Sequence, residues 1–185
     1  MIFTELEIPG LTLIEPEWIG DDRGGFAKVY SVDQFADAGL ELDIVDTNLS
    51  RSASKGQIRG LHYQLEPDAE TKFIRCIKGA LVDMVVDMRP HSPTFGNWRA
   101  TELTAESHRM LYVPAGLAHG FQTTEDETWA LYHSSARWAP DSERGIRWND
   151  PGIGMQWPLD PGDTLSDKDK AWADVELDKV RSSAA

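Results

Sequence analysis

The amino-acid sequence predicts an all-β fold, a sandwich or barrel with a few short helices, and three observations carry that reading. Short β-like runs follow one another along the chain, at residues 11–15, 26–30, 44–50, 57–64, 71–77, 80–89, 98–103, 110–113, 120–123 and 128–138. Turn signals separate them, among them Lys55-Gly56, Lys78-Gly79, Arg89-Pro90, Phe95-Gly96 and Pro114-Ala115-Gly116, where glycine and proline interrupt extended backbone and let it reverse. Helical patterning is confined to an amphipathic turn or two at 32–38 and a helix start at Ser166, three residues before Asp169. Many short strands with frequent turns bury their apolar faces as a sandwich or barrel.

Three strands carry informative side chains. In Gln57-Ile-Arg-Gly-Leu-His-Tyr-Gln64, His62 and Gln64 point to one face, because side chains alternate along a strand. Strict alternation puts Arg59 on the other face, and a bulge at Gly60 would bring it round. Along 81–88, Val82, Met84, Val86 and Met88 share one face, and Leu81, Asp83, Val85 and Asp87 the other. Two carboxylates among apolar neighbours fit either a polar-lined interior or an edge strand in water. In the last run Tyr132, Ser134 and Trp138 share parity, so that a phenol and an indole can line one cavity.

A chain of 185 residues suits one domain with a real core, and 41% hydrophobic with 26% charged residues is ordinary for a soluble globular protein. No apolar run approaches the roughly 20 residues that cross a bilayer, and the N-terminus has neither a basic start nor an apolar signal segment. One cysteine, Cys76, forms no internal disulfide, so a cytoplasmic location is expected. A net charge of −13 argues against nucleic acid as a partner. An anionic ligand would need a local basic cluster, for which Arg23, Arg51, Arg59, Lys72 and Lys168 are available.

A lone strand histidine such as His62 is more often structural than a base. With Pro114-Ala-Gly-Leu-Ala-His119-Gly downstream, its segment resembles the two half-motifs of a cupin barrel, whose metal-binding members present His-x-His plus Glu and then a further His. Here the first half reads His62-Tyr63-Gln64, and Lys72 falls near the acidic ligand's place. Glutamine is a poor metal ligand and an ammonium has no lone pair to donate, so no metal is expected.

A set of further pieces stands in order: Asp22-Arg23-Gly24, Arg59-Gly-Leu-His62-Tyr-Gln64, Lys72, Asp83 to Asp87-Met-Arg89, Ser92-Pro-Thr-Phe-Gly96, Ala118-His119-Gly-Phe121, Tyr132, Trp148-Asn-Asp-Pro151, Trp157-Pro158 and Leu165-Ser-Asp-Lys-Asp169. The ordered set resembles the dTDP-4-dehydrorhamnose 3,5-epimerase family over roughly residues 1–170. The resemblance implies a cupin-type β-barrel (jelly roll) with a C-terminal helical segment and a tail over about 171–185. It also implies a homodimer that swaps N-terminal strands, and proton transfer without a cofactor.

Carbons 3 and 5 of a 4-keto sugar flank the ketone, which acidifies their protons. By resemblance His62 is the base, and Asp169 the partner that orients its imidazole. Lys72 stabilises the enolate oxygen, and Tyr132 returns a proton on the opposite face. His119 and Asp83 pair behind His62, though a purely structural pair reads as well. Arg59 and Lys168 would hold the diphosphate, with Arg23 reaching in from a partner subunit, and Trp138 would stack on the base beside Phe26 and Asn48.

Two positions depart from the family. Lys28 stands where a glutamate is usual, and Asp46 where a glutamine is usual two residues before Asn48. This change puts thymine specificity in question, or else is neutral change at a pocket rim. The expected activity is epimerisation at C3, C5 or both of a nucleotide-linked 4-keto-6-deoxyhexose, and Tyr132 favours both. A single-carbon epimerase, a different nucleotide sugar, a sugar-nucleotide ketoisomerase, a metal-dependent cupin oxygenase and a non-catalytic sugar-binding barrel are the alternatives.

Overall fold

A computed structural model describes residues 1–162 and 164–183. Its strands are β1 (Ile2–Glu5), β2 (Thr12–Glu15), β3 (Trp18–Asp21), β4 (Gly24–Ala27), β5 (Asp46–Ser52), β6 (Ile58–Gln64), β7 (Lys72–Lys78), β8 (Ala80–Asp87), β9 (Trp98–Thr104), β10 (Met110–Val113), β11 (Leu117–Thr123), β12 (Thr128–Ser134) and β13 (Glu143–Gly145). The helices are α1 (Val32–Asp37), α2 (Asp167–Ala171) and α3 (Leu177–Ser183). Six strands form one sheet in the order β1-β2-β10-β7-β12-β5, and five form another in the order β13-β6-β11-β8-β9. β3 and β4 make a separate two-stranded ribbon.

The two sheets face each other, and alternation sorts each strand's side chains between an inner and an outer layer. Leu81, Val85, Leu117 and Phe121 of the five-stranded sheet meet Ile74, Cys76, Leu111 and Ala130 of the six-stranded sheet in the inner layer. Outside the six-stranded sheet, α1 presents Phe35 edge-on to Phe73, with ring centroids 5.2 Å apart. Outside the five-stranded sheet, Leu61, Met84, Val86 and Met88 are covered by Ile146, Ile153 and Met155. Each such apolar side chain contributes about 1.5–3 kcal/mol on burial. Asp83 and Asp87 are both fully buried on the inner face, which decides for the polar-lined interior over the exposed edge.

Three strands go beyond the sequence expectation: β1, β3 and β13. Elsewhere the runs are shifted or trimmed for local reasons. The run expected at 26–30 ends at Ala27, because its partner strand begins opposite it at Trp18. The run expected to reach residue 138 ends at Ser134, and beyond it Gln64 takes over the backbone. Its side-chain oxygen accepts from the Ala139 amide at 2.6 Å and its Nε2 donates to the Arg137 carbonyl at 3.1 Å. Trp138 therefore sits in a clamped loop, where strand parity does not apply.

The C-terminal segment folds back over the outer face of the five-stranded sheet. Buried Asp150 accepts from the amides of Gly152, Ile153 and Val175, tying residue 175 to the turn after β13. Ser166 caps α2 by accepting from the Asp169 amide at 3.1 Å. α3 occupies much of the expected tail, whose residues 184–185 lie outside the described residues.

Candidate active site

Arg59 and His62 reach the same cavity because β6 carries one extra residue against β11. His119 pairs with His62 and Phe121 with Arg59, so three steps on β6 match two on β11. The irregularity needs glycine on both strands: a Cβ on Gly60 would come within 2.7 Å of Gly120 Cα, and one on Gly120 within 2.6 Å of the Arg59 carbonyl oxygen. Gly60 also has φ of 103°, which side chains rarely adopt. The bulge thus reverses the parity of Arg59.

Between the sheets lies a cavity of about 200 Å³ lined by Ser50, Arg59, His62, Lys72, His119, Gly120, Phe121 and Tyr132. His62 comes from the five-stranded sheet and Tyr132 from the six-stranded one. His62 Nε2 bonds Asp169 Oδ1 at 2.6 Å across 107 residues of sequence. That contact favours the tautomer with a proton on Nε2, leaving Nδ1 the free lone pair. Burial alone would raise the Asp169 carboxyl, but His62, the Ser166 hydroxyl and the Gly60 backbone hold it below the usual carboxylate range.

Lys72 opens β7, nearly buried, with its ammonium 2.6 Å from Glu70 Oε1 and 3.4 Å from the His62 carbonyl oxygen. Burial and the Glu70 charge push the Tyr132 phenol up, against the pull of Arg59. Such a phenol stays protonated at neutral pH. His119 Nε2 meets Asp83 Oδ2 at 2.8 Å. Burial raises the Asp83 carboxyl despite the attraction of His119 and Lys72. Arg59 is aimed by bonds to Ser52 Oγ at 3.0 Å and the Arg51 carbonyl at 2.9 Å.

His62, Asp169, Tyr132, Lys72, His119, Asp83 and Arg59 thus come together. Asn48 and Asp46 lie on β5 opposite Tyr132 and Ser134, at the sheet edge, with Asp46 exposed. Lys168 stands beside Asp169 on α2 with its ammonium 2.6 Å from Glu143 Oε1, and Trp138 is exposed. Arg23 and Phe26 belong to the ribbon and line a surface hollow there. Lys28 lines another with Met1, Glu17 and Gln34. None of these three lines the His62 cavity.

Sequence reasoning missed Glu70, Glu143 and Trp172. Glu70 was legible, since it shares parity with Lys72 two residues away. Glu143 was not, because only the pairing of β13 with β6 sets it opposite Gln64. Burial would raise its carboxyl, but Lys168, the Trp138 indole and the His62 charge lower it. Trp172 lies over Gly145, where a Cβ would fall within 2.1 Å of its ring, and 6.4 Å from the His62 ring.

Among the described residues no group of three His, Cys, Asp or Glu side chains is placed to hold a metal. Gln64 is spent on the backbone of residues 68, 137 and 139, and the Lys72 ammonium on Glu70, so neither replaces a missing ligand. No helix among the described residues is long and apolar enough to cross a membrane.

Comparison with known proteins gives a consistent answer. The family model described as dTDP-4-dehydrorhamnose 3,5-epimerase matches residues 5–176. A Pseudomonas aeruginosa protein of that name is 44% identical over 177 residues, 94% of this chain and 97% of its own. A crystal structure of the Bacillus anthracis dTDP-4-dehydrorhamnose 3,5-epimerase, with TDP and PPi bound, superposes with a TM-score of 0.90 at 39% identity, covering 94% of this chain and 99% of that one. A 3'-monoepimerase from Streptomyces bikiniensis, in complex with dTDP-quinovose, reaches 0.86 at 32% identity, over 97% and 89% of the two chains.

Proposed function

This chain belongs to the dTDP-4-dehydrorhamnose 3,5-epimerase family, and from that premise we propose how its cavity inverts C3 and C5 of a 4-keto-6-deoxyhexose carried on a nucleoside diphosphate. The enzyme is an isomerase of the cupin-like type. One observation carries the mechanism: a base and an acid project from facing sheets into one cavity. A sugar ring held between them loses a proton on one face and gains one on the other, which is inversion.

His62 Nδ1 takes the proton from the carbon beside the ketone, and the electron pair moves onto the carbonyl oxygen as an enolate. Asp169 stabilises the resulting imidazolium. The Lys72 ammonium, nearly buried at the cavity wall, offsets the enolate charge. Tyr132 then protonates the carbon from the opposite sheet, and solvent restores both groups. Enolate chemistry of this kind needs no metal, and the donor set supports its absence.

The cavity is smaller than the roughly 300–1,000 Å³ clefts that take drug-sized ligands. On this reading the sugar fills it and the nucleotide extends beyond, toward Arg59 in the lining and Lys168, Trp138, Asn48 and Asp46. Arg23, Phe26 and Lys28 belong to a homodimer in which the ribbon crosses to the partner's mouth. Exposure of 73% at Ile19 and 68% at Phe26 supports that crossing. Thymidine is the base named for the bound relatives, and Lys28 with Asp46 loosens the preference for it. A cytoplasmic location fits the lone, buried Cys76.

The test is incubation of exhaustively chelated enzyme with dTDP-4-keto-6-deoxyglucose, read by NMR of the sugar. Inversion at both carbons is expected. Activity lost on chelation and restored by a divalent ion would overturn the metal-free mechanism, and inversion at C3 alone would favour the single-carbon reading.

A further inference from the structure

Buried ammonium groups are costly unless paired, and an unpaired one is driven toward its neutral form. Lys72 is nearly buried, and the group that meets it is Glu70, whose side chain is itself only 13% exposed. We propose that Glu70 is a positioning residue that holds the Lys72 ammonium by direct contact and aims it into the cavity beside Tyr132. This deepens the mechanism above and rests on it.

The geometry is built rather than incidental. Between the two residues, Thr71 is bonded on both sides to Ser135: its amide donates to Ser135 Oγ at 2.8 Å, and its carbonyl accepts from the Ser135 amide at 3.0 Å. Upstream, Gln64 Nε2 donates to the Asp68 carbonyl at 2.7 Å, and Ser142 donates to the Asp68 carboxylate. The loop is therefore pinned on either side of Glu70. An ammonium has three donors. One goes to Glu70 at 2.6 Å and one makes a long contact to the His62 carbonyl at 3.4 Å, leaving a third for a substrate oxygen.

The charged and titratable groups facing Lys72 and Tyr132 are Arg59 and His62 from β6, His119 from β11, Asp83 from β8 and, behind His62, Asp169 from α2. Glu70 is the carboxylate in direct contact with the ammonium. Glu70→Gln removes its charge at nearly constant shape. Without the anion, the ammonium loses the contact that aims it, and the phenol, which the Glu70 charge helps to push up, ionises at lower pH. The second change moves the alkaline limb of kcat toward acid.

The experiment has two stages. Wild-type enzyme is first assayed for deuterium wash-in to the 4-keto sugar across pH, which tests the underlying mechanism alone. Glu70→Gln is then compared, and its alkaline limb should move down by about one pH unit, the low end of what a neighbouring charge produces. Glu70→Asp should restore most of the wild-type profile, and it stands in, with a smaller shift of the same sign, should the Gln variant fold poorly. A wild type that exchanges, with both variants keeping its alkaline limb, would overturn the role of Glu70 while leaving the mechanism intact. No exchange in the wild type would instead overturn the mechanism. A merely structural Glu70 would lower thermal stability and kcat at all pH values without moving the limb.

Discussion

The inter-sheet cavity and the β3–β4 ribbon hold the two halves of the expected site, and they are built in opposite ways. In the cavity three titratable groups have a carboxylate partner in the same chain: His62 with Asp169, Lys72 with Glu70, His119 with Asp83. These pairs lie between the sheets, where each partner fixes the other's position. On the ribbon, Arg23 pairs with Asp21 in full solvent, where such a pair contributes little, and Trp18, Ile19 and Phe26 face outward. The residues proposed for the carbon-acid chemistry meet within one chain, whereas Arg23 and Phe26 line a separate hollow on the ribbon.

The largest effect should follow from removing the base. His62→Ala should lower kcat by on the order of 10² to 10⁴-fold, with folding retained, since the His62 side chain is 29% exposed. Asp169→Asn should cost less, because the imidazole keeps its lone pair in a poorer orientation. Steady-state kinetics beside circular dichroism checks both, and a His62→Ala enzyme retaining more than a tenth of the rate would place the base elsewhere.

Stability should separate the two regions next. Asp87 is fully buried and accepts from Arg89, Ser92 and Thr94. Burial would raise its carboxyl, but these donors hold it low. A depressed carboxyl stabilises the fold above the unfolded pKa near 4, and that contribution is lost as pH falls through the folded value. Asp83, raised by burial, acts in the opposite sense, favouring the fold when protonated and losing that contribution as pH rises through its raised pKa. Asp87→Ala should therefore destabilise the protein by about 3 kcal/mol at pH 7, and by much less near pH 2. Asp21→Ala on the ribbon should leave the melting temperature unchanged; calorimetry at the two pH values decides.

Much of the interior was legible in the sequence because strand alternation and glycine carry so much of it. The parity of 81–88 put Asp83 and Asp87 on one face, and Gly60 marked the bulge that turns Arg59 inward. What alternation cannot say is which strands meet across space. The pairing of β13 with β6 brings Glu143 to the site, and the return of the C-terminus sets Trp172 over Gly145; neither has a local signature. Trp138 shows the reverse failure, since parity was extended into a loop that Gln64 holds by its backbone. The ribbon was read one strand short, because its partner strand is four residues at a solvent-facing site.

Smaller effects test the ribbon directly. If it serves a partner's mouth, Arg23→Ala should raise KM on the order of tenfold, the low end for a charge-assisted contact, with kcat nearly unchanged. Equal loss in both parameters, or none in either, would detach the ribbon from nucleotide binding. Least of all is the base preference. Calorimetric titration should show thymidine diphosphate binding less than about tenfold better than other nucleoside diphosphates, with the gap widening in Lys28→Glu combined with Asp46→Gln. A wider gap in the wild type would mean that the two substitutions are neutral.

Deuterium incorporation at C3 and C5 in heavy water, with wild type, His62→Ala and Tyr132→Phe side by side, tests the facing-sheet mechanism most directly. The wild type should exchange and invert at both carbons. Tyr132→Phe should exchange with retained configuration, because His62 and Lys72 still form the enolate, and His62→Ala should do neither. Exchange surviving in His62→Ala, or exchange and inversion falling together in Tyr132→Phe, would contradict the assignment of base and acid to opposite sheets.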